Sequence, residues 1–248
     1  RISGTMKIEG NILYVAGNQN LTLVNIENPE NIELLFREEY EEYLLDFCVE
    51  DGIFYSIWSG DIRHVEVWDF NDPQDPQQLG SFEIGQDQRT IRKYNSTLIT
   101  LSAKFPHFET YNIENNNFEN PPLIYSDEHP GHVKDVEVNG NTAYVVLTNT
   151  GLGILDITDV EQPELLTTFE VPEPRAQDNI CYYRDHVYYN TPDYGVLIIN
   201  VSDRENPQLA SQIEGVRARE IYAVDDLFFA ACYNAGLLMY DIDNPNDP

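Results

Sequence analysis

A chain of 248 residues, 42% hydrophobic and 12% aromatic, has a globular composition and enough length to bury a sizeable core. Forty-three acids against fourteen bases leave a formal net charge of -29, which repels phosphate backbones and anionic lipid and so argues against nucleic acid and membrane surfaces as partners. No apolar run approaches the roughly eighteen residues of a membrane span, so direct membrane insertion is not expected.

The chain opens at "RISGTMKIEGN" without an initiator Met, read as a trimmed leader or an excised domain. Next come a short apolar run, "ILYVA", centred on Tyr14, and a second, "LTLVNIENP", closing at Asn25. The acidic and aromatic "REEYEEY", Arg37 to Tyr43, is expected to be an exposed connection with Tyr40 or Tyr43 tucked inward. The same two phrases then return. "IFYSI" (Tyr55) precedes "VEVWDFNDP" (Asp69), and "TLITL" (Ile99) precedes "FETYNIENNNFENPP" (Asn112), whose turn is longer. Further on, "AYVVL" (Tyr144) precedes "GLGILDITDVEQP" (Asp156), "VYYNT" (Tyr188) precedes "VLIINVSDRENP" (Asn200), and "LFFAA" (Phe229) precedes "GLLMYDIDNPNDP" (Asp241). The closing Asp or Asn recurs at intervals of 44, 43, 44, 44 and 41 residues, and the upstream centre at 41, 44, 45, 44 and 41. Two markers that keep one period in the low forties indicate a propeller blade or a helical solenoid unit.

The local pattern chooses between them. In the fourth unit Val136 and Val138 alternate with Asp135 and Glu137, Asn139-Gly140-Asn141 is a hairpin signal, and "TAYVVL" returns. After Asn149-Thr150-Gly151 comes "GILDI", then a turn over Asp159 to Pro163, then "LLTTFEV". Nowhere do apolar residues hold helical spacing for ten residues. Four antiparallel strands per unit and six units predict an all-β, six-bladed β-propeller in one domain, 1–248. Its units run over about 1–41, 42–85, 86–129, 130–174, 175–215 and 216–248. The third strand of each blade is stacked on both faces and so tolerates continuous Ile, Leu and Val. The closing Asp or Asn is expected to accept backbone N–H groups of the turn that follows. The last unit stops at "NPNDP", before an outermost strand, so its blade has three strands or the natural chain continues, and the ring has six blades or belongs to a larger one. Six is favoured.

The phrases "GLGILDITDVEQP" and "GLLMYDIDNP" resemble the LVIVD repeat family, and weaker forms of the motif cover all six units. The third unit departs most, with Asn112 in place of Asp. The resemblance implies a propeller of bacterial and archaeal surface or exported proteins, hence an extracellular or cell-surface location. It implies no established reaction and no catalytic residues. The Trp-Asp and Gly-His signatures of WD-type propellers do not recur with the repeat.

In a propeller the start of each innermost strand and the loop between second and third strands share one end, where ligands bind. The four residues opening each innermost strand are "RISG", "EYLL", "QDQR", "GHVK", "RAQD" and "VRAR". They hold six of the fourteen bases, Arg1, Arg89, Lys134, Arg175, Arg217 and Arg219, and only three acids, Glu42, Asp87 and Asp178. Arg suits carboxylate and phosphate, so Arg89, Lys134, Arg175, Arg217 and Arg219 are the candidate contacts for an anionic small molecule, a glycan or an acidic peptide. The competing reading is an internal ion-pair ring, because Asp46, Asp135 and Glu220 follow directly.

His129 and His132 flank "HPGH", and with His64 and His107 they reach the same end, so His107, His129 and His132 are candidate metal ligands. HxxH in a Pro-Gly turn is not a recognised ligand spacing, however. Asp241, Asp243 and Asp247 lack the Gly and distal Glu of a calcium loop and are read as turn residues. No GxSxG, P-loop or GxGxxG is present, and no cofactor is implied. Cys48, Cys181 and Cys232 make no disulfide framework, and the first two are expected to pack. The sequons at Asn20, Asn95 and Asn200 are about what chance supplies. The expected role is a non-enzymatic binding or scaffold module. The alternatives are a metal-dependent propeller hydrolase or lyase, and a structural surface-layer or adhesion module.

Overall fold

The computed structural model describes residues 5–17, 19–28, 30–102, 108–127, 133–174, 179–232 and 235–248. The described strands form six antiparallel meanders. Blade 1 is β1 (Thr5–Glu9), β2 (Ile12–Ala16), β3 (Asn20–Asn25) and β4 (Glu33–Glu39). Blade 2 is β5 (Tyr43–Glu50), β6 (Ile53–Ser59), β7 (Arg63–Asp69) and β8 (Gln77–Glu83), and blade 3 is β9 (Thr90–Tyr94), β10 (Thr97–Leu101), β11 (Phe108–Asn112) and β12 (Leu123–Asp127). Blade 4 is β13 (Val133–Asn139), β14 (Thr142–Leu147), β15 (Gly151–Asp156) and β16 (Glu164–Glu170). Blade 5 is β17 (Asn179–Tyr183), β18 (His186–Thr191), β19 (Gly195–Asn200) and β20 (Gln208–Ile213). Blade 6 has three strands, β21 (Ala218–Val224), β22 (Leu227–Cys232) and β23 (Gly236–Asp241). This is the all-β, six-bladed propeller that the period and the alternation predict. One short 3-10 turn, Glu114–Asn116, takes up the extra length in the third repeat. Among the described residues no helix is long and apolar enough to cross a membrane.

The repeated Asp or Asn closes each third strand as expected. Its Oδ1 accepts the backbone N–H two residues on in all six blades: Asn25 from Glu27 at 2.9 Å, Asp69 from Asn71 at 2.8 Å and Asn112 from Glu114 at 2.8 Å. Asp156 accepts from Thr158 at 2.7 Å, Asn200 from Ser202 at 3.0 Å and Asp241 from Asp243 at 3.0 Å. Short acceptor side chains that stay local tie the chain into a turn with no help from tertiary structure. Asp241 and Asp243 are therefore parts of a turn. The Asp156 carboxyl lies below the usual carboxylate range because the Thr158 hydroxyl and backbone N–H both donate to it.

Two compact units are present, blades 1–3 and blades 4–6. In the first, Tyr14, Leu21 and Leu23 of blade 1 pack on Phe47, Phe54 and Phe70 of blade 2, with Tyr14 and Phe54 stacked at 6.0 Å. Blade 2 in turn lays Val65 and Val67 against Ile91 and Leu98 of blade 3. Tyr40, between β4 and β5, turns inward onto Trp58 at 4.4 Å, whereas Tyr43 stays exposed. In the second unit, Leu152 and Ile154 of blade 4 meet Ile180 and Val187 of blade 5, and Val196 and Ile198 of blade 5 meet Ile221 and Phe228 of blade 6. Each junction is therefore apolar and sheet-on-sheet, fed by the period-two alternation of the strands.

Candidate functional site

The innermost strands of blades 2, 4 and 6 carry a β-bulge at their first turn. Leu44 faces Trp58 and Asp46 faces Ile57, which leaves Leu45 as the extra residue. The register also shifts between Val133 and Val136 and between Ala218 and Glu220, where Lys134 and Arg219 stand. Bulges re-aim side chains at strand ends. Lys134, Arg217 and Arg219 are all exposed there, in the second unit. The backbone beneath the two arginines is pinned by a polar pair: buried Asn190 donates to the Ala218 carbonyl at 3.0 Å, and Asn179 donates to the Arg219 carbonyl at 2.7 Å.

Arg89 belongs to the first unit, directly before β9, and its side chain is exposed. Its N–H bonds the Leu101 carbonyl at 2.9 Å, and the preceding turn is closed by Gln88 N–H on Gly85 O at 3.1 Å. Glu109, a buried carboxylate, accepts from Gly85 N–H at 3.1 Å and from the Tyr111 hydroxyl at 2.8 Å, so it anchors that turn. Beside Arg89 stands Arg63, the first residue of β7. Its Nε donates to the Gln86 carbonyl at 2.9 Å, while its Nη1 is buried without a hydrogen-bond partner. Burial and the neighbouring Arg89 guanidinium both lower the Arg63 pKa, opposed by Asp87. Arg63 escaped the count of strand openings because it begins a third strand. The loop before it shares that end of the blade, so extending the count to those loops finds it.

Two of the acids that follow the strand openings, Asp46 and Asp135, reach into the next blade. Asp46 Oδ2 accepts the Ile91 N–H at 3.1 Å and pairs with Arg92 at 2.8 Å. Asp135 Oδ2 accepts the Ile180 N–H at 3.1 Å, and its Oδ1 accepts Val136 N–H at 2.9 Å. Both carboxylates thus clip one blade to the next.

Arg175, His107, His129 and His132 lie outside the described residues. Of the histidines, His64 is placed with two carboxylates: its Nε2 lies 3.7 Å from Glu42 and 3.8 Å from Glu66, and its Nδ1 lies 3.2 Å from the Ile62 carbonyl. The Glu66 hydrogen bond raises the His64 pKa against the effect of burial. Burial works to raise the Glu66 carboxyl, but hydrogen bonds from His64 and from Trp68 outweigh it and leave it low. Among the described residues no group of three His, Cys, Asp or Glu side chains is placed to hold a metal ion. The three cysteines are free thiols. Burial pushes Cys48 up to about 12 and Cys181 well above its ordinary value, so neither is a nucleophile near neutral pH. A depression at the opposite end of blades 4 and 5, lined by Asp156, Leu166 and Ser202 to Glu205, is occupied by a structural contact: Arg204 donates to Thr142 Oγ1 at 2.8 Å and lies 3.5 Å from Asp156.

The LVIVD repeat is matched over residues 1–38 and 130–171, in blades 1 and 4. No curated protein matches the chain. The computationally designed protein Ika8 is similar in structure, with a TM-score of 0.70 and 12% identity over 98% of this chain and 71% of that one. A functionally unknown protein from Desulfotomaculum acetoxidans DSM 771 is also similar, with a TM-score of 0.75 and 14% identity over 97% of this chain and 82% of that one. At such identities the likeness is one of fold.

Proposed function

Because this chain is an LVIVD-repeat β-propeller, we propose that it is a non-enzymatic binding and scaffold module of a cell-surface or exported protein, recognising an anionic group at the end of the blades where the innermost strands begin. The observation that carries this reading is Arg63: burial and the neighbouring Arg89 guanidinium both disfavour its charge, and its Nη1 is buried and unbonded. A carboxylate or sulfate between the two guanidinium groups relieves the repulsion and accepts the idle donor in the bidentate manner that suits Arg. Lys134, Arg217 and Arg219 offer the same chemistry at the strand openings of the second unit, and Arg175 is assigned to the same group by its place in the repeat. The overall charge of -29 keeps nucleic acid and anionic lipid away, so selectivity falls to compact anions that reach the basic end. The surface or exported location rests on the family resemblance.

The test is calorimetric titration with an oligo-glutamate peptide and with a sulfated disaccharide. Binding is expected to weaken with salt and to fall at least about tenfold in Arg63→Ala and Arg89→Ala, about 1.4 kcal/mol. Lys134→Ala and Arg217→Ala report separately on the second unit. Unchanged affinity in all four variants rejects the reading.

A further inference from the structure

The three Asn-x-Ser/Thr sequons, at Asn20, Asn95 and Asn200, are alike in sequence, and the fold sorts them. Asn20 opens β3 and is half-buried. Its carbonyl accepts the Gly17 N–H at 2.8 Å, and its side-chain amide lies over Gly17, where an added Cβ would meet both Oδ1 and Nδ2 at 2.8 Å. Asn200 closes β19, and its Oδ1 accepts the Ser202 N–H at 3.0 Å and the Ser202 hydroxyl at 2.7 Å. That sequon's own hydroxyl is spent on the turn. Asn95 is placed differently. Tyr94 pairs with Thr97 across the β9–β10 hairpin, so Asn95 and Ser96 form its two-residue tip, and both are exposed. Asn95 has φ 50°, a left-handed conformation that Asn tolerates better than most residues. The tip is held from the blade side, where the Ile113 N–H donates to the Ser96 carbonyl at 2.8 Å. A bulky substituent on the Asn95 amide meets solvent, whereas one on Asn20 or Asn200 competes with contacts that close the blade.

We propose that Asn95 is the N-glycan acceptor of this chain, an inference that rests on the exported location given above. In the transfer, Asn95 Nδ2 attacks the anomeric carbon of a lipid-diphosphate-linked oligosaccharide. The new C–N bond replaces the bond from that carbon to the diphosphate oxygen, the amide gives up one proton, and the lipid diphosphate leaves. Thr97 supplies the hydroxyl that completes the sequon, yet it is 6% exposed once β10 has formed. The sugar is therefore added to the exported chain before blade 3 closes. The tip lies at the end of β9 opposite Arg89, which directly precedes that strand. A bulky, hydrophilic group there leaves the anionic site open.

Expression behind an export leader, in a host that glycosylates Asn-x-Ser/Thr, tests it, with a host glycoprotein from the same fraction as positive control. Glycopeptide mass spectrometry of the folded, secreted chain is expected to find the sugar on Asn95 and on neither Asn20 nor Asn200. Asn95→Gly, which suits φ 50°, is expected to lose the glycan mass. Thr97→Val, which keeps the shape of the buried side chain, is expected to lose it too, and Thr97→Ser to retain it. Circular dichroism checks that the variants fold. An unmodified Asn95 beside a modified control, a glycan on Asn20 or Asn200 instead, or a glycan that survives Thr97→Val would overturn the proposal. Because the leader is supplied, these outcomes judge Asn95 alone, and fractionating the source cells judges the exported location separately.

Discussion

The junction between blades 2 and 3 and the junction between blades 4 and 5 occupy the same register and share one device. In each, an Asp at the start of an innermost strand accepts the N–H of the next blade's apolar second residue, Asp46 from Ile91 and Asp135 from Ile180, at 3.1 Å in both. What surrounds the clip differs. In the first junction Arg92 enters beside Asp46, and Lys93 reaches Glu50. In the second the positions of Arg92 and Lys93 are held by Cys181 and Tyr182, and Tyr182 stacks on Tyr144 at 5.2 Å and 17°. The third strands follow suit, with His64 and Glu66 in blade 2 where blade 4 has Gly151 and Gly153. The backbone-directed bond belongs to the repeat, because it serves a strand geometry common to both junctions. The filling can be ionic or aromatic as long as buried charges are paired.

The largest expected difference comes from cutting the clip. Asp46→Ala takes the carboxylate away from the Arg92 guanidinium, whose side chain is 13% exposed, and is expected to cost about 3–5 kcal/mol in urea unfolding. Asp135→Ala is expected to cost about 1–3 kcal/mol, the range for removing an acceptor from a buried donor. Adding Arg92→Met to Asp46→Ala should recover much of the larger loss. Equal costs for the two Asp variants, or no recovery, would erase the distinction drawn between the junctions.

An intermediate effect is expected one position along. Tyr182→Ala removes a stacked ring and its burial and is expected to cost about 2 kcal/mol. Lys93→Ala removes one side of an ion pair whose Glu50 carboxylate is largely exposed and is expected to cost less than about 1 kcal/mol. The same unfolding measurement checks both.

The smallest effect is pH-dependent and confined to blade 2. His64 has a raised folded pKa, so its contribution is full below its ordinary 6.5 and is lost as pH rises through the folded value. Glu66 has a lowered folded pKa, so its contribution is present above its ordinary 4.5 and is lost as pH falls through the folded value. The pair is therefore most stabilising between those two ordinary values, by about 0.5–1 kcal/mol. His64→Gln is expected to flatten the stability profile on the alkaline side of pH 6.5, and a profile identical to wild type would remove His64 as its source.

Much of the blade was legible because its signals are local. Alternation names the strands, Asn139-Gly140 names a hairpin, and an Asp or Asn two residues before a turn N–H is within its own reach in any context. The six closing residues from Asn25 to Asp241 needed no tertiary information to be assigned. The site was less legible. Six bases at the strand openings could be counted, but Asp46 was as free on paper to neutralise Arg89 as to bond Ile91 and Arg92. Arg63 and Arg89 stand 26 positions apart and meet only once blades 2 and 3 stack.

The sequence by itself determined the six repeats, their strand order and the turn that ends each third strand, since hydrogen bonds and alternation over a few residues specify those features. Tertiary structure alone decided which carboxylate meets which cation and which buried donor is left idle. Those outcomes depend on what a neighbouring sheet places opposite a side chain, and a residue's own segment carries no record of that.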